Sequence, residues 1–221
     1  MNTAPDRPSQ VCAVAPQGDG TPVSPRDHAT CHNTVLNDTR RWLERAVIGL
    51  NLCPFAKAVV VKDQVRLRVS LARDPADLLQ HLIAELQALD AADPQARDTT
   101  LLVAPHCLQD FLDFNDFLAQ ADEALRSLDL EGVLQIASFH PQYQFAGTAP
   151  DDITNCTNRA PYPTLHLLRE SSIDRAVAVF PAAEAIFETN MTTLETLGHA
   201  GWRALDVGAT PEPTETPQRQ P

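Results

Sequence analysis

The chain is 221 residues long and 43% hydrophobic, with a formal net charge of -12 and a pI near 4.9. That length favours one domain, and that apolar fraction supplies one core. So acidic a surface repels phosphate backbones, which argues against nucleic-acid and anionic-membrane partners but leaves room for a local arginine pocket.

No apolar run approaches the ~20 residues of a membrane span. The N-terminus lacks the basic-then-apolar pattern of a signal peptide, so none is expected. Five cysteines at irregular spacing point to free thiols and a cytoplasmic location.

Residues 1 to 33 are rich in Pro, Gly, Asp, Ser and Thr and show no hydrophobic period, so a disordered tail is expected. His28, Cys31 and His32 cluster in its HATCH segment, but three scattered ligands on a tail do not make a metal site. From Asn33 or Thr34, Val35, Leu36, Trp42, Leu43, Ala46, Val47 and Leu50 mark one helical face, ending near Cys53 before Pro54. Val65, Leu67, Val69 and Leu71 alternate with Arg66, Arg68 and Ser70 as a strand with one wet face. Asp74 and Pro75 open a strongly amphipathic helix through Leu89, which Asp93-Pro94 stops. Thr99 to Ala104 is a second strand, ending at Pro105-His106. Phe111 to Leu128 is another helix, Gly132 to Phe139 a third strand and Thr164 to Leu168 a fourth. Ser171 or Ser172 caps a short helix interrupted at Pro181, and a last helix closes at Gly198.

This alternation predicts a single α/β domain over residues 34 to 207, with a mainly parallel four-stranded sheet, helices packed on it, and a second tail over 208 to 221. The direction of the fourth strand and the oligomeric state are left open.

The stretch between the third and fourth strands is the candidate site. It joins runs ending at His140 and centred on His166, and it is longer than the ~15 residues usual for a connection without a function. Along the third strand Leu134, Ile136, Ser138 and His140 share a face that turns polar toward the sheet edge, as a pocket floor does. Asp152, Asn155, Asn158 and Arg159 recur every three to four residues, with Ile153 and Cys156 on another side, as on a short helix. On the fourth strand His166 and Glu170 share a face.

At CPFAK (Cys53 to Lys57), FHPQYQF (139 to 145), DDITNCTNRAPYPTLHLLRE (151 to 170) and LGHAGW (197 to 202) the chain resembles a bacterial family, domain-of-unknown-function family 1415, over roughly residues 35 to 205. The resemblance implies a cytoplasmic single-domain protein. It brings no activity, ligand or catalytic residue, so the chemistry rests on the side chains.

They suggest an enzyme for a small anionic metabolite. His140 and His166 would move the proton, Asp152 or Glu170 would orient one of them, Arg159, Asn155 and Asn158 would hold the substrate, and Tyr143 would line the pocket. The bland alternatives are a strand-capping His140, a satisfied core His166, and a solvated helix face carrying an Asp152–Arg159 pair. A metal centre of two histidines and a carboxylate is a rival, although no HxxxH, HxH or HExxH spacing specifies one, so no metal or cofactor is assigned. A third possibility is a non-catalytic protein that uses the long loop to bind a ligand or a partner. Cys53 at a helix C-terminus reads as a structural thiol unless Pro54 starts a new helix, and Cys107 and Cys156 as small apolar fillers. No P-loop, G-x-S-x-G elbow or CxxC pair is present.

Overall fold

Helix α3, Pro75–Asp90, illustrates how closely local chemistry sets the elements. The Asp74 carboxylate accepts from the Asp77 amide at 2.9 Å, Pro75 occupies the first turn, and Leu78, Leu82, Leu86 and Leu89 line one fully buried face. The computed structural model describes residues 25–179 and 185–211. In it, α1 (Pro25–Trp42) runs into a π-helical turn (Leu43–Ile48), followed by α2 (Ala56–Val61), β1 (Val65–Val69), α3 and β2 (Thr99–Val103). Then come α4 (Phe111–Ser127), β3 (Leu134–Phe139), a 3-10 helix (Ile153–Thr157), β4 (Thr164–Arg169), α5 (Glu170–Val179) and α6 (Ile186–Ala204).

The sheet is mixed, not mainly parallel as expected. Its order is β1-β2-β4-β3: β1 and β2 pair in parallel, and β4 runs antiparallel to both β2 and β3. The reason lies in the β3–β4 connection. A parallel return would carry the chain back along the whole strand length, usually by a helix. The only helix there is the five-residue 3-10 segment, about 10 Å long at ~2 Å per residue. The chain instead folds back at the edge where it left, so Thr164 pairs with both Phe139 and Val103.

Strand alternation divides the core. Leu102, Leu134, Leu165 and Leu167 face α3 and α4 and pack with Phe114 and Phe117. Leu101 and Phe139 face the other way, toward Trp42, Ala46 and Val207. On β1, Arg66 and Arg68 both reach Glu85 of α3, at 3.0 and 3.5 Å.

Helix boundaries differ from expectation at both ends of α1 and at α5, which begins at Glu170 so that Ser171 and Ser172 lie inside it rather than cap it. α1 begins at Pro25 rather than Asn33, because a helix can extend beyond its apolar stripe and proline suits its first turn. Its α-helical part stops at Trp42, well before Cys53. The wider turn closes with the Gly49 amide donating to the Glu44 carbonyl at 2.9 Å, and a Cβ at Gly49 would meet the Arg45 carbonyl oxygen at 2.3 Å. In α6, Gly198 (φ 63°, ψ 174°) breaks the helix as expected, but the chain resumes it to Ala204.

The described part of the C-terminal stretch is clasped to α1. Buried Asp38 accepts from the Thr210 amide and hydroxyl (2.7 and 2.6 Å), from Tyr162 (2.7 Å) and from Arg41 (2.9 Å). Burial pushes the Asp38 carboxyl up, but these partners together hold it below its ordinary pKa. The rest of both expected tails, and Pro181, lie outside the described residues. Among the described residues no helix is long and apolar enough to cross a membrane.

Candidate functional site

The polar connection between β3 and β4 is tied down by its own side chains. His140 continues the Leu134 face and is fully buried, its ring 5.4 Å from that of Phe111 and 5.1 Å from that of Phe114. Nδ1 accepts from the Gln142 amide at 3.0 Å, so Nε2 carries the proton and donates to the Leu108 carbonyl at 3.1 Å. Burial lowers its pKa, with the Leu108 carbonyl and Asp110 opposing only in part. Both ring nitrogens are spent, which leaves no lone pair for a substrate.

Asn155 is also fully buried. Its carbonyl accepts from the Phe145 amide (2.9 Å) and the Thr148 hydroxyl (2.8 Å), and its amide donates to the Ala149 carbonyl (2.9 Å). Asn158 donates to the Ser138 carbonyl at 3.2 Å. Asp152 caps the 3-10 helix, accepting from the Thr154 hydroxyl and amide, which together lower its pKa. Arg159 donates to the carbonyls of Tyr143 (3.2 Å) and Pro150 (2.6 Å). Tyr143 packs its ring against Phe111 and Phe145. Glu170 opens α5 and its carboxylate makes no ion pair with another described residue. An open hollow of about 480 Å³ beside Arg159 is shared with Asp110, Gln142 and Gln144.

His140 and His166 do not meet. His166 pairs with Ala137, and the period of two places Ala137 and Phe139 on the face opposite Leu134, Ile136 and His140. The two imidazoles therefore lie on opposite sides of the sheet and cannot share a proton, a metal ion or a substrate. Arg159 lies nearer the His140 side, against Tyr143 and the hollow bounded by Phe111.

On the His166 side the structure holds a cavity of about 170 Å³. The π-helical turn and the residue before it supply Leu43, Val47 and Trp42, and α2 supplies Ala56, Val59 and Val60. The sheet contributes Leu101, Phe139, His166 and Leu168, and α5 closes the hollow with Ser172, Ile173 and Ala176. Trp42 stands edge-on to Phe139 at 5.2 Å, with its indole N–H donating to the Arg159 carbonyl at 2.8 Å. The Phe139 ring lies 6.1 Å from His166.

The polar atoms of this cavity are few. The Thr99 hydroxyl is 2.6 Å from the Leu167 carbonyl and 2.7 Å from Nε2 of His166. A carbonyl can only accept, so the single hydroxyl proton belongs there, and Nε2 must donate to the oxygen. That leaves Nδ1 as a bare acceptor, with no partner among the described residues. Enclosure by protein pushes the His166 pKa down to about 4, so the ring is neutral at neutral pH. At another point of the lining Ser172 donates to Asp98, and Arg175 donates to the Ser172 hydroxyl at 2.8 Å.

Of the expected site residues, this cavity holds His166 alone. Sequence reasoning missed Trp42, Thr99, Phe139 and Ser172. Cys53, expected as a buried structural thiol, is half-buried and lines the hollow with Phe55 from the CPFAK segment. Pro54 does lead into a new helix, α2, but a six-residue one. Cys107 and Cys156 are buried fillers as expected, and burial raises both thiols. Among the described residues no three His, Cys, Asp or Glu side chains are grouped to hold a metal ion.

A family model described as Protein of unknown function (DUF1415) matches residues 34–204. No curated protein and no solved structure matches the chain.

Proposed function

Because the chain belongs to the DUF1415 family, whose description assigns no chemistry, we propose from the side chains alone that the protein binds a small, largely apolar molecule in the His166 cavity. The observation that carries this is one unpartnered ring nitrogen in an otherwise apolar hollow. Protein interiors are close-packed, and buried polar atoms are nearly always hydrogen-bonded. His166 is half-buried, so its open valence can be met by water or by a bound molecule, and an apolar hollow of this size favours the molecule. The π-helical turn at one wall fits the reading, since such turns recur at functional sites.

His166 is also the group for acid–base chemistry here. A neutral imidazole held in one tautomer can take a proton from a bound molecule, so catalysis at this cavity would use Nδ1 as general base. The anionic metabolite suggested by Arg159 has less support. Among the described residues Asp98 is the sole charged one of the lining, and an anion would meet it with no compensating cation from that set. A cytoplasmic setting fits the free thiols at Cys31, Cys53, Cys107 and Cys156.

The test is a thermal-shift and Trp42-fluorescence screen of small aromatic and branched aliphatic compounds, on the wild-type chain and on Ala176→Trp, which fills the cavity from α5. A ligand at a hundred times its Kd stabilises by about 2.7 kcal/mol. Hits are expected to stabilise the wild type and leave the variant unmoved. No hit at all, or equal shifts in both proteins, would remove the proposal.

A further inference from the structure

We infer that the occupant of this cavity is an uncharged aromatic molecule of about phenol size, oriented by one O–H that donates to Nδ1 of His166. The inference rests on the proposed binding function and narrows it to a ligand class.

Size comes first. An apolar cavity of about 150 Å³ takes up benzene. At about 170 Å³ this one admits a single ring with a small substituent. The walls suit a ring: Trp42, Phe55 and Phe139 all contribute, and aromatic pairs favour the edge-on and tilted packings already adopted by Trp42, Phe139 and His166.

Charge comes second. Among the described residues the only ionised side chain on the wall is Asp98, which already accepts from Ser172 and lies 3.9 Å from Arg175. A carboxylate ligand would find no cation of its own. A ligand ammonium would have to compete with Arg175 for Asp98 and leave water for an apolar hollow.

Donor and acceptor count comes third. The Thr99 proton is committed to Leu167, the Ser172 proton to Asp98 and the His166 Nε2 proton to Thr99. Apart from the weak Cys53 thiol, every side-chain donor among the described residues of the lining is in use, while Nδ1 is an unused acceptor. An ether or ketone would leave its own oxygen and Nδ1 both unpaired. A hydroxyl satisfies both.

The experiment titrates the full chain with phenol, anisole, toluene and benzoate by ligand-observed NMR. Phenol is expected to bind about tenfold more tightly than anisole or toluene, a difference of about 1.4 kcal/mol. Benzoate is expected to bind most weakly. In His166→Phe the phenol preference should vanish while toluene still binds. That variant leaves the Thr99 hydroxyl its Leu167 partner, so no donor is orphaned. The wild-type comparison of phenol with anisole carries the test even if the variant does not fold. Equal binding of phenol, anisole and toluene overturns the donor assignment but leaves the cavity function standing. Tightest binding by benzoate overturns the charge argument. Binding by none of the four overturns the inference, and the proposed function falls with it only when the branched aliphatic compounds also fail to bind.

Discussion

Thr99 and His166 fix each other's protons across the β2–β4 pair: the threonine hydroxyl, already donating to Leu167, can only accept from Nε2, and so Nδ1 is held bare. Replacing Thr99 by Val removes the acceptor and leaves a buried N–H unpaired. An orphaned group of that kind costs about 1–3 kcal/mol. The expected outcome for Thr99→Val is a loss of that size in urea denaturation, together with a weaker preference for hydroxylated ligands. An unchanged midpoint would mean that the imidazole does not depend on this hydroxyl.

The half-buried His166 imidazole also makes stability depend on pH. The folded pKa lies near 4 against an ordinary 6.5, so as pH falls below 6.5 the unfolded chain takes up the proton first. Stability from this group is complete above about pH 6.5 and is lost as pH falls toward about 4, where the folded ring also protonates. His140, also lowered, acts in the same direction. Between about pH 7 and about pH 5 the wild type should lose roughly 2 kcal/mol more than His166→Phe. Parallel pH profiles for the two proteins would show that the ring is better solvated than its surroundings indicate.

His140 should behave as a packing residue. His140→Ala empties a fully buried site between Phe111 and Phe114 and orphans the Gln142 amide and the Leu108 carbonyl. The expected cost is about 3 kcal/mol, with ligand affinity at the His166 cavity unchanged. A variant that keeps its melting temperature and loses ligand response would reverse the roles of the two histidines.

Asn155 pins the loop that follows His140. Asn155→Ala deletes the acceptor of the Phe145 amide and the donor to the Ala149 carbonyl at once, while the Thr148 hydroxyl keeps the Phe145 carbonyl, at an expected cost of about 2–4 kcal/mol. Hydrogen exchange resolved by residue should show the Phe145 amide deprotected before the strand amides. If that amide stays as slow as in the wild type, something other than Asn155 secures the loop.

Local chemistry made the elements legible, and long-range pairing hid the site. The Asp74-Pro75 start, the leucine stripe of α3 and the alternation of β1 are written within a few residues of one another, and the structure follows them. The place of β4 is not local: it depends on where a long connection can turn, which no period reveals. The connection drew attention because it is crowded with Asp, Asn, Arg and Tyr. Most of those side chains bond to nearby backbone, the same local competition that favours Asn and Asp in turns. The cavity was invisible for the opposite reason. Its walls are ordinary apolar residues drawn from the π-helical turn, α2, all four strands and α5, and only the folded chain assembles them. One signal did point there. His166 stands among the leucines of the TLHLLR strand, where a lone imidazole needs a reason.

The middle position of β4 has a consequence for biogenesis. A nascent chain leaving the ribosome at ~5–20 residues per second exposes β1, β2 and β3 before residues 164 to 169 have emerged. β3 bonds to no strand but β4, so it waits unpaired. β2, every residue of which ends up buried, offers one bare side to any passing extended peptide during that delay. Closure of the sheet is thus a late, non-local event, and the interval before it is when this molecule is most exposed to intermolecular pairing and to holdase chaperones.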